Sequence, residues 1–174
     1  SGPVMEKSWA ERAGLGWVGK NACRITRGLG SWVFVGEIIT TAELPVDVPH
    51  TDFCGSCTRC LDACPTEAIV EPYVVDSNRC ISYRTIEHRG EIPAEFKEAL
   101  GETIFGCDCC TAVCPWNRSS EDEIVPELRS RPMPDAAGWL EMTDAEFKTR
   151  FKDTALFRTG LARLQRNASV VSRH

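Results

Sequence analysis

Cys54-Gly55-Ser56-Cys57-Thr58-Arg59-Cys60-Leu61-Asp62-Ala63-Cys64-Pro65 is the stretch whose reading decides the fold. Its spacing, Cys-x2-Cys-x2-Cys-x3-Cys-Pro, is the one in which a tight loop points three thiolates at one iron-sulfur cube and sends the fourth to a second. A second cysteine group is therefore required. It stands at Cys107-Asp108-Cys109-Cys110-Thr111-Ala112-Val113-Cys114-Pro115, where Cys107-x2-Cys110-x3-Cys114-Pro repeats the last three ligands of the pattern, with Ile104 in the place of the first. Cys80, alone between the two groups, is the substitute for that missing ligand.

Crossing over the fourth ligands gives the assignment. Cys54, Cys57 and Cys60 with Cys114 would hold one 4Fe-4S cluster, and Cys80, Cys107 and Cys110 with Cys64 the other. Cys23 and Cys109 are left over, and the plain reading of each is a small hydrophobe with a thiol. Pro65 and Pro115 fit a helix that leaves the cluster, since Pro is tolerated in a first helical turn. A disulfide scaffold belongs to secreted chains, most of them short, and this one has no signal-like apolar segment at its start. A zinc knuckle could use Cys54 and Cys57 with Cys107 and Cys110, but it leaves Cys60, Cys64 and Cys114 unexplained.

The 174 residues are 43% hydrophobic, enough for one compact domain or a small domain with appendages. No apolar run approaches the roughly 18 residues of a membrane helix, so no membrane is expected. The net charge of -5 argues against a uniformly basic nucleic-acid surface. Oxygen-sensitive clusters and unpaired thiols point to a reducing cytoplasm. A chain that begins at Ser1 without Met is expected to be part of something longer.

Along the chain, residues 3–13 read as a helix with Pro3 near its start, Trp9 and Ala13 on one face and Gly14 as the stop. Residues 14–21, Gly-Leu-Gly-Trp-Val-Gly-Lys-Asn, contain a formal G-x-G-x-x-G. The dinucleotide fingerprint needs a strand before it, whereas a helix precedes here, so what remains is a glycine loop able to approach a flat or anionic ligand. Residues 31–40, rich in β-branched and aromatic side chains, read as a strand buried on both faces. Residues 68–75 read as a short hairpin, 78–87 as a helix carrying Cys80, and 93–100 as another. The acidic run Glu121-Asp122-Glu123 and the prolines at 126, 132 and 134 suggest an extended wrap. Thr143-Asp144-Ala145-Glu146 is a capping box opening a helix to about Phe151, and a last helix starts near Thr154. From residue 145 on, seven Lys or Arg stand against Glu146 and Asp153, an asymmetry that suits phosphate contact or, equally, a solvated helix face.

Beyond the cysteines, an ordered set of motifs resembles one family, epoxyqueuosine reductase. It comprises Gly2-Pro3-Val4 with Glu6-Lys7, the run from Ala10 to Asn21, Gly30-Ser31-Trp32, Gly36-Glu37-Ile38, Cys80-Ile81-Ser82-Tyr83 with Thr85-Ile86-Glu87, Gly106-Cys107-Asp108, Val113-Cys114-Pro115-Trp116-Asn117 and Arg166-Asn167-Ala168. The resemblance implies an α+β architecture in which a two-cluster 4Fe-4S ferredoxin-like domain is joined to the end of an α/β cobalamin-binding domain, with a helical C-terminal segment. The expected division is residues 1–43 for the end of the cobalamin domain, 44–118 for the cluster domain, and 119–174 for the wrap and last helices.

The same resemblance implies reduction of the epoxide of epoxyqueuosine at the tRNA wobble position, with electrons passing through both clusters to a nucleophilic cob(I)alamin. It implies a tRNA anticodon-loop substrate, an external low-potential electron donor and a monomer. Asp108 and Cys109, between ligands of the second cluster, are expected at the edge of the cobalamin, with Arg24 and Val35 as weaker candidates. The family's proton-donating aspartate would fall just ahead of Ser1, so no catalytic residue is expected within the chain, and the 174 residues are expected to be redox-active without reducing epoxyqueuosine alone. The family generally has no cysteine at position 23. The rival readings are a ferredoxin-like electron-transfer module and a reductive dehalogenase-like cobalamin iron-sulfur enzyme.

Overall fold

The computed structural model describes residues 5–118 and 132–171. The chain divides into two units, one made of Ser1–Val75 and Asp108–Pro126, the other of Asp76–Cys107 and Glu127–His174.

The first unit opens with α1 (Glu6–Arg12), which ends where expected: Gly14 takes a φ of +64° and the Leu15 N–H donates back to Ala10 O at 3.0 Å. Ala10 is buried, whereas Ala13 is exposed and Trp9 lies 53% exposed beneath the Arg12 guanidinium. A helix of two turns has one narrow contact line, and here it runs through Ala10. A small antiparallel ribbon follows, β1 (Trp17–Val18) and β2 (Arg24–Ile25), with Trp17 opposite Ile25. Gly16 makes the approach possible, since a Cβ there would lie 1.9 Å from Ile25 O. The segment is helix, loop, ribbon, and so bears out the rejection of a dinucleotide fold.

Residues 31–40 do not form the expected strand. Phe34, Ile38 and Ile39 are 87%, 93% and 98% exposed, and none of the described strands pairs with this segment. β-Propensity measures fit to a pleated, half-buried surface and not an intrinsic backbone preference, so without a neighbouring strand these residues form no strand. The chain then enters the cysteine loop, α2 (Arg59–Asp62) and the hairpin of β3 (Ile69–Glu71) and β4 (Val74–Val75) read from the sequence.

In the second unit, α3 (Ile81–Ile86) begins one residue after Cys80 and is shorter than the helix expected over 78–87, because Ser77 to Cys80 is a turn closed by Cys80 N–H to Ser77 O at 3.1 Å. A 3-10 turn, Ala94–Phe96, runs into α4 (Lys97–Leu100). The chain returns to the first unit for α5 (Cys109–Ala112) and the 3-10 turn Pro115–Asn117. The acidic run and Pro126 of the expected wrap lie outside the described residues.

The remaining helices of the second unit are α6 (Ala136–Glu141), α7 (Asp144–Phe151), α8 (Ala155–Thr159) and α9 (Leu161–Val171). The capping box is present at Thr143 and Glu146. The single last helix expected from Thr154 is two, broken at Gly160 with a φ of +87°. Trp139, Met142, Phe147, Phe151, Leu156, Leu161, Leu164 and Ala168 form its principal core, and Ile81, Ile92, Phe96 and Leu100 a second cluster against which Cys107 packs.

The expected basic tail is partly consumed inside this unit. Arg158 pairs with Glu87 at 2.8 Å, Arg163 donates to Ile86 O, and Arg166 donates to the carbonyls of Arg84, His88 and Gly90. Arg158, Arg163 and Arg166 thus have structural partners, and Arg150 lies over the Phe151 ring.

Candidate iron-sulfur sites

The loop from Cys54 turns back at once, with the Cys57 N–H on Cys54 O at 3.1 Å and Gly55 at a φ of +51°. Asp52 fixes its entry by accepting the Cys54 N–H at 2.7 Å. Burial raises the Asp52 carboxyl, but hydrogen bonds from Tyr73 and Cys54 outweigh it and hold it below the usual range, while Tyr73 itself is pushed to about 12 by the carboxylate it donates to. The α2 turn carries Cys60, and the end of the second cysteine group carries Cys114, whose N–H donates to Thr111 O at 3.0 Å.

Cys54, Cys57, Cys60 and Cys114 line one cavity of about 250 Å³, together with Lys20, Asn21, Ile25, Phe53 and Trp116. The proposed first ligand set therefore shares one space. Phe53 and Trp116 pack edgewise on Trp17, with ring centroids 5.2 and 4.9 Å away, giving the cavity an apolar wall. Burial pushes the thiols of Cys54 and Cys60 up. A thiolate placed there needs a compensating cation, which the iron of a cluster supplies. The donor set, the enclosing rings and the size of the space fit a 4Fe-4S cluster.

Of the second set, Cys64 and Cys110 belong to the first unit and Cys80 and Cys107 to the second. Cys64 Sγ accepts the Ala68 N–H at 3.2 Å. Cys80 occupies the N-cap of α3. Cys23, read from sequence as a plain hydrophobe, bonds the Cys110 thiol; that contact, then burial, drives Cys110 strongly up.

Asp108 and Cys109 stand exposed at the start of α5. Arg24 is only 5% exposed and its guanidinium donates to the carbonyls of Gly16 at 3.1 Å and Lys7 at 3.3 Å, so it is engaged in shaping the glycine loop. Val35 is half-buried in the segment without strand structure. Among the described residues no disulfide joins any cysteine, no group of three Cys, His, Asp or Glu converges on one metal ion, and no helix is long and apolar enough to cross a membrane.

Sequence reasoning placed Asn117 in a motif but missed its role. Its Oδ1 accepts the Ser31 N–H at 2.6 Å and its Nδ2 donates to Thr111 O at 2.7 Å, clamping the exit of the cluster loop. It also missed Lys20, whose ammonium donates to Gly55 O at 2.6 Å and Cys57 O at 3.0 Å. The available signals were the motif that ends at Asn117 and the glycine loop that carries Lys20.

Residues 53–117 match the family of 4Fe-4S double cluster binding domains. The fold and the cysteine sites accordingly define a protein that binds two iron-sulfur clusters. An epoxyqueuosine reductase of Synechocystis is 50% identical over 97% of this chain and 60% of its own length, and that of Xanthomonas campestris 46% over 98% and 49%. Among solved structures, epoxyqueuosine reductase from Bacillus subtilis superposes with a TM-score of 0.94 at 38% identity, covering 100% of this chain and 47% of that one. A crystal structure of epoxyqueuosine reductase with an epoxyqueuosine-modified tRNA-Tyr stem loop gives the same TM-score at 39% identity, covering 99% and 47%. The chain is similar over nearly its whole length to epoxyqueuosine reductases, and it spans about half the length of these solved relatives.

Proposed function

We propose that the chain is the cluster-bearing part of an enzyme that reduces epoxyqueuosine to queuosine in tRNA. The observation that carries this reading is the 50% identity to an epoxyqueuosine reductase over 97% of the chain. In the proposal Cys54, Cys57, Cys60 and Cys114 hold one 4Fe-4S cluster, and Cys64, Cys80, Cys107 and Cys110 the other. The role of this segment is conduction, with electrons from an external low-potential donor passing through the clusters to the reacting centre.

Cobalamin is the further cofactor proposed, and it would supply a strongly reducing, nucleophilic metal to the epoxide. Two features of the chain suit its presence. Asp108 and Cys109 are exposed side by side and available to a ligand edge. The apolar residues Phe34, Ile38 and Ile39 have the composition of a strand and no partner among the described residues, as suits the last strand of an α/β cobalamin-binding domain ending near residue 43. Residues 44–118 would then be the cluster domain and 119–174 the wrap and helices. Arg24 would act on the cofactor through the glycine loop it holds, and Val35 from the unpaired strand. A tRNA substrate, a cytoplasmic site and a monomer complete the reading. A plain electron-transfer module is the second reading, favoured by the completeness of the first cysteine site within the chain.

Anaerobically purified protein should contain about eight iron and eight sulfide per chain, and Cys80→Ser about half of each. Zinc in place of iron, or a full iron content in Cys80→Ser, would overturn the ligand assignment. Cobalamin binding by the longer enzyme containing this segment separates the reductase from the electron-transfer module, which would bind none.

A further inference from the structure

Cys114, which lines the cavity of the first cysteine set, also lines a second space. This is an open groove of about 470 Å³, walled by Arg59, Asp62 and Ala63 at α2 and by Ala112, Val113 and Arg118 at and after the end of α5. A half-buried cysteine is thus the wall shared by the proposed cluster and an outer surface. Electron transfer weakens steeply with distance, so a donor gains most by docking where a cluster ligand reaches the surface.

The lining has the chemistry of a small protein interface. Arg59 and Arg118 are exposed, and among the described residues neither guanidinium has a hydrogen bond or an ion pair, whereas Arg158, Arg163 and Arg166 are engaged internally. Ala63, Ala112 and Val113, the last 36% exposed, supply apolar contact. Arginine around an apolar centre is the composition of protein interfaces, and redox encounters need little of it, burying less than about 1,200 Å². A nucleic-acid backbone suits the groove less well, because Asp62, which accepts the Thr58 hydroxyl at 2.9 Å, puts a carboxylate in the lining. In a chain of net charge -5 an acidic protein is repelled by the whole and drawn to this patch.

We propose that the groove beside Cys114 is where the electron donor docks, and that this donor is a small acidic protein with a low-potential flavin at its surface. The inference rests on the proposed function, in which this segment conducts electrons from an external donor. In each encounter the reduced flavin loses one electron and the cluster held by Cys54, Cys57, Cys60 and Cys114 gains it, with no bond made or broken between the partners. Arg59 and Arg118 raise the rate of encounter and set its orientation, and Asp62 opposes them.

The test is Arg118→Glu in the anaerobic holoprotein, with reduced flavodoxin as the probe and reduced methyl viologen, a small cation that needs no docking surface, as the control. Stopped-flow absorbance of the clusters gives a second-order rate constant for each. With flavodoxin the wild-type constant should fall as salt rises, Arg118→Glu should lower it about tenfold at low salt, and Asp62→Asn should raise it. Iron content and the viologen rate should stay as they are in both variants. A flavodoxin rate unchanged in Arg118→Glu, or wild-type protein that viologen reduces and flavodoxin does not, would overturn the docking site. So would an Arg118→Glu variant that binds a tRNA anticodon stem loop more weakly and keeps its flavodoxin rate, since the groove would then belong to tRNA. Should Arg118→Glu lose iron, the other two measurements decide: a wild-type rate indifferent to salt, or one that Asp62→Asn leaves unchanged, would overturn the proposal. Wild-type protein without clusters that viologen can reduce would instead overturn the conduction reading.

Discussion

Asn167 is fully buried in α9 and satisfied at every atom the chain can reach. Its Nδ2 donates to Thr85 O at 2.9 Å and Ile104 O at 2.7 Å, and its Oδ1 accepts from the Arg166 guanidinium at 2.7 Å. Asn167→Ala leaves two buried carbonyls without donors and should cost about 2–4 kcal/mol in denaturant unfolding, with the iron content retained. A loss under about 0.5 kcal/mol would show that water replaces the side chain. Arg166 beside it bridges three carbonyls with one planar fork, a task for which Lys lacks both the geometry and the donors, so Arg166→Lys should not rescue Arg166→Ala.

At the scale of the element, α7 depends on its first turn. Thr143 Oγ1 accepts the Glu146 N–H at 3.3 Å while Glu146 Oε2 accepts the Thr143 N–H at 2.8 Å. Thr143→Ala should lower stability by about 1 kcal/mol, read as a shift of the denaturant midpoint at constant slope. The pH dependence follows from the carboxylates. The backbone N–H of Thr143 holds Glu146 below its ordinary value, and the Arg158 guanidinium does the same for Glu87. A folded value below the unfolded one gives stability that is present above the unfolded value and lost as pH falls through the folded value. Both contributions should therefore fade below the ordinary carboxylate value of about 4.3, and Glu146→Gln should flatten the acid limb of the stability curve. An acid limb unchanged in that variant would count against the box.

The two units differ in what holds them. Among the described residues, the buried apolar side chains of the first are Ala10, Trp17, Ile25, Ala68 and Ile69, against twelve in the second. Removing iron by chelation should therefore abolish hydrogen-exchange protection in the first unit and leave α6 to α9 protected. Equal protection in both units after chelation would show a core sufficient without metal. The tRNA prediction also changes with the whole fold. Replacing Arg158, Arg163 and Arg166 would remove internal bonds and confound any binding measurement, so the informative pair is Lys148 and Lys152. Neutralising both should flatten the slope of log affinity against log salt by about 0.7–0.9 for each phosphate that a lysine no longer neutralises. An unchanged slope would leave those lysines as solvated surface.

The eight cysteines, the hairpin after them and the box at Thr143 were legible because each is a local pattern: fixed spacing, alternation over a few residues, a cap three positions from its partner. The sequence alone therefore carried the spacing that matches a double-cluster domain and the resemblance to epoxyqueuosine reductases. Residues 31–40 misled it because a strand exists only through its neighbours, and composition cannot say whether the neighbour is in the chain. The last helix broke at Gly160, where a left-handed φ ended what periodicity would have continued. Only the tertiary structure put the thiol of Cys23 on Cys110, the ammonium of Lys20 on the Cys57 carbonyl, and Arg166 among the carbonyls of residues 84, 88 and 90. Those pairs join positions from 37 to 87 residues apart, and hydrogen bonding over such separations is set by packing, for which a single sequence carries no periodic or spacing signal.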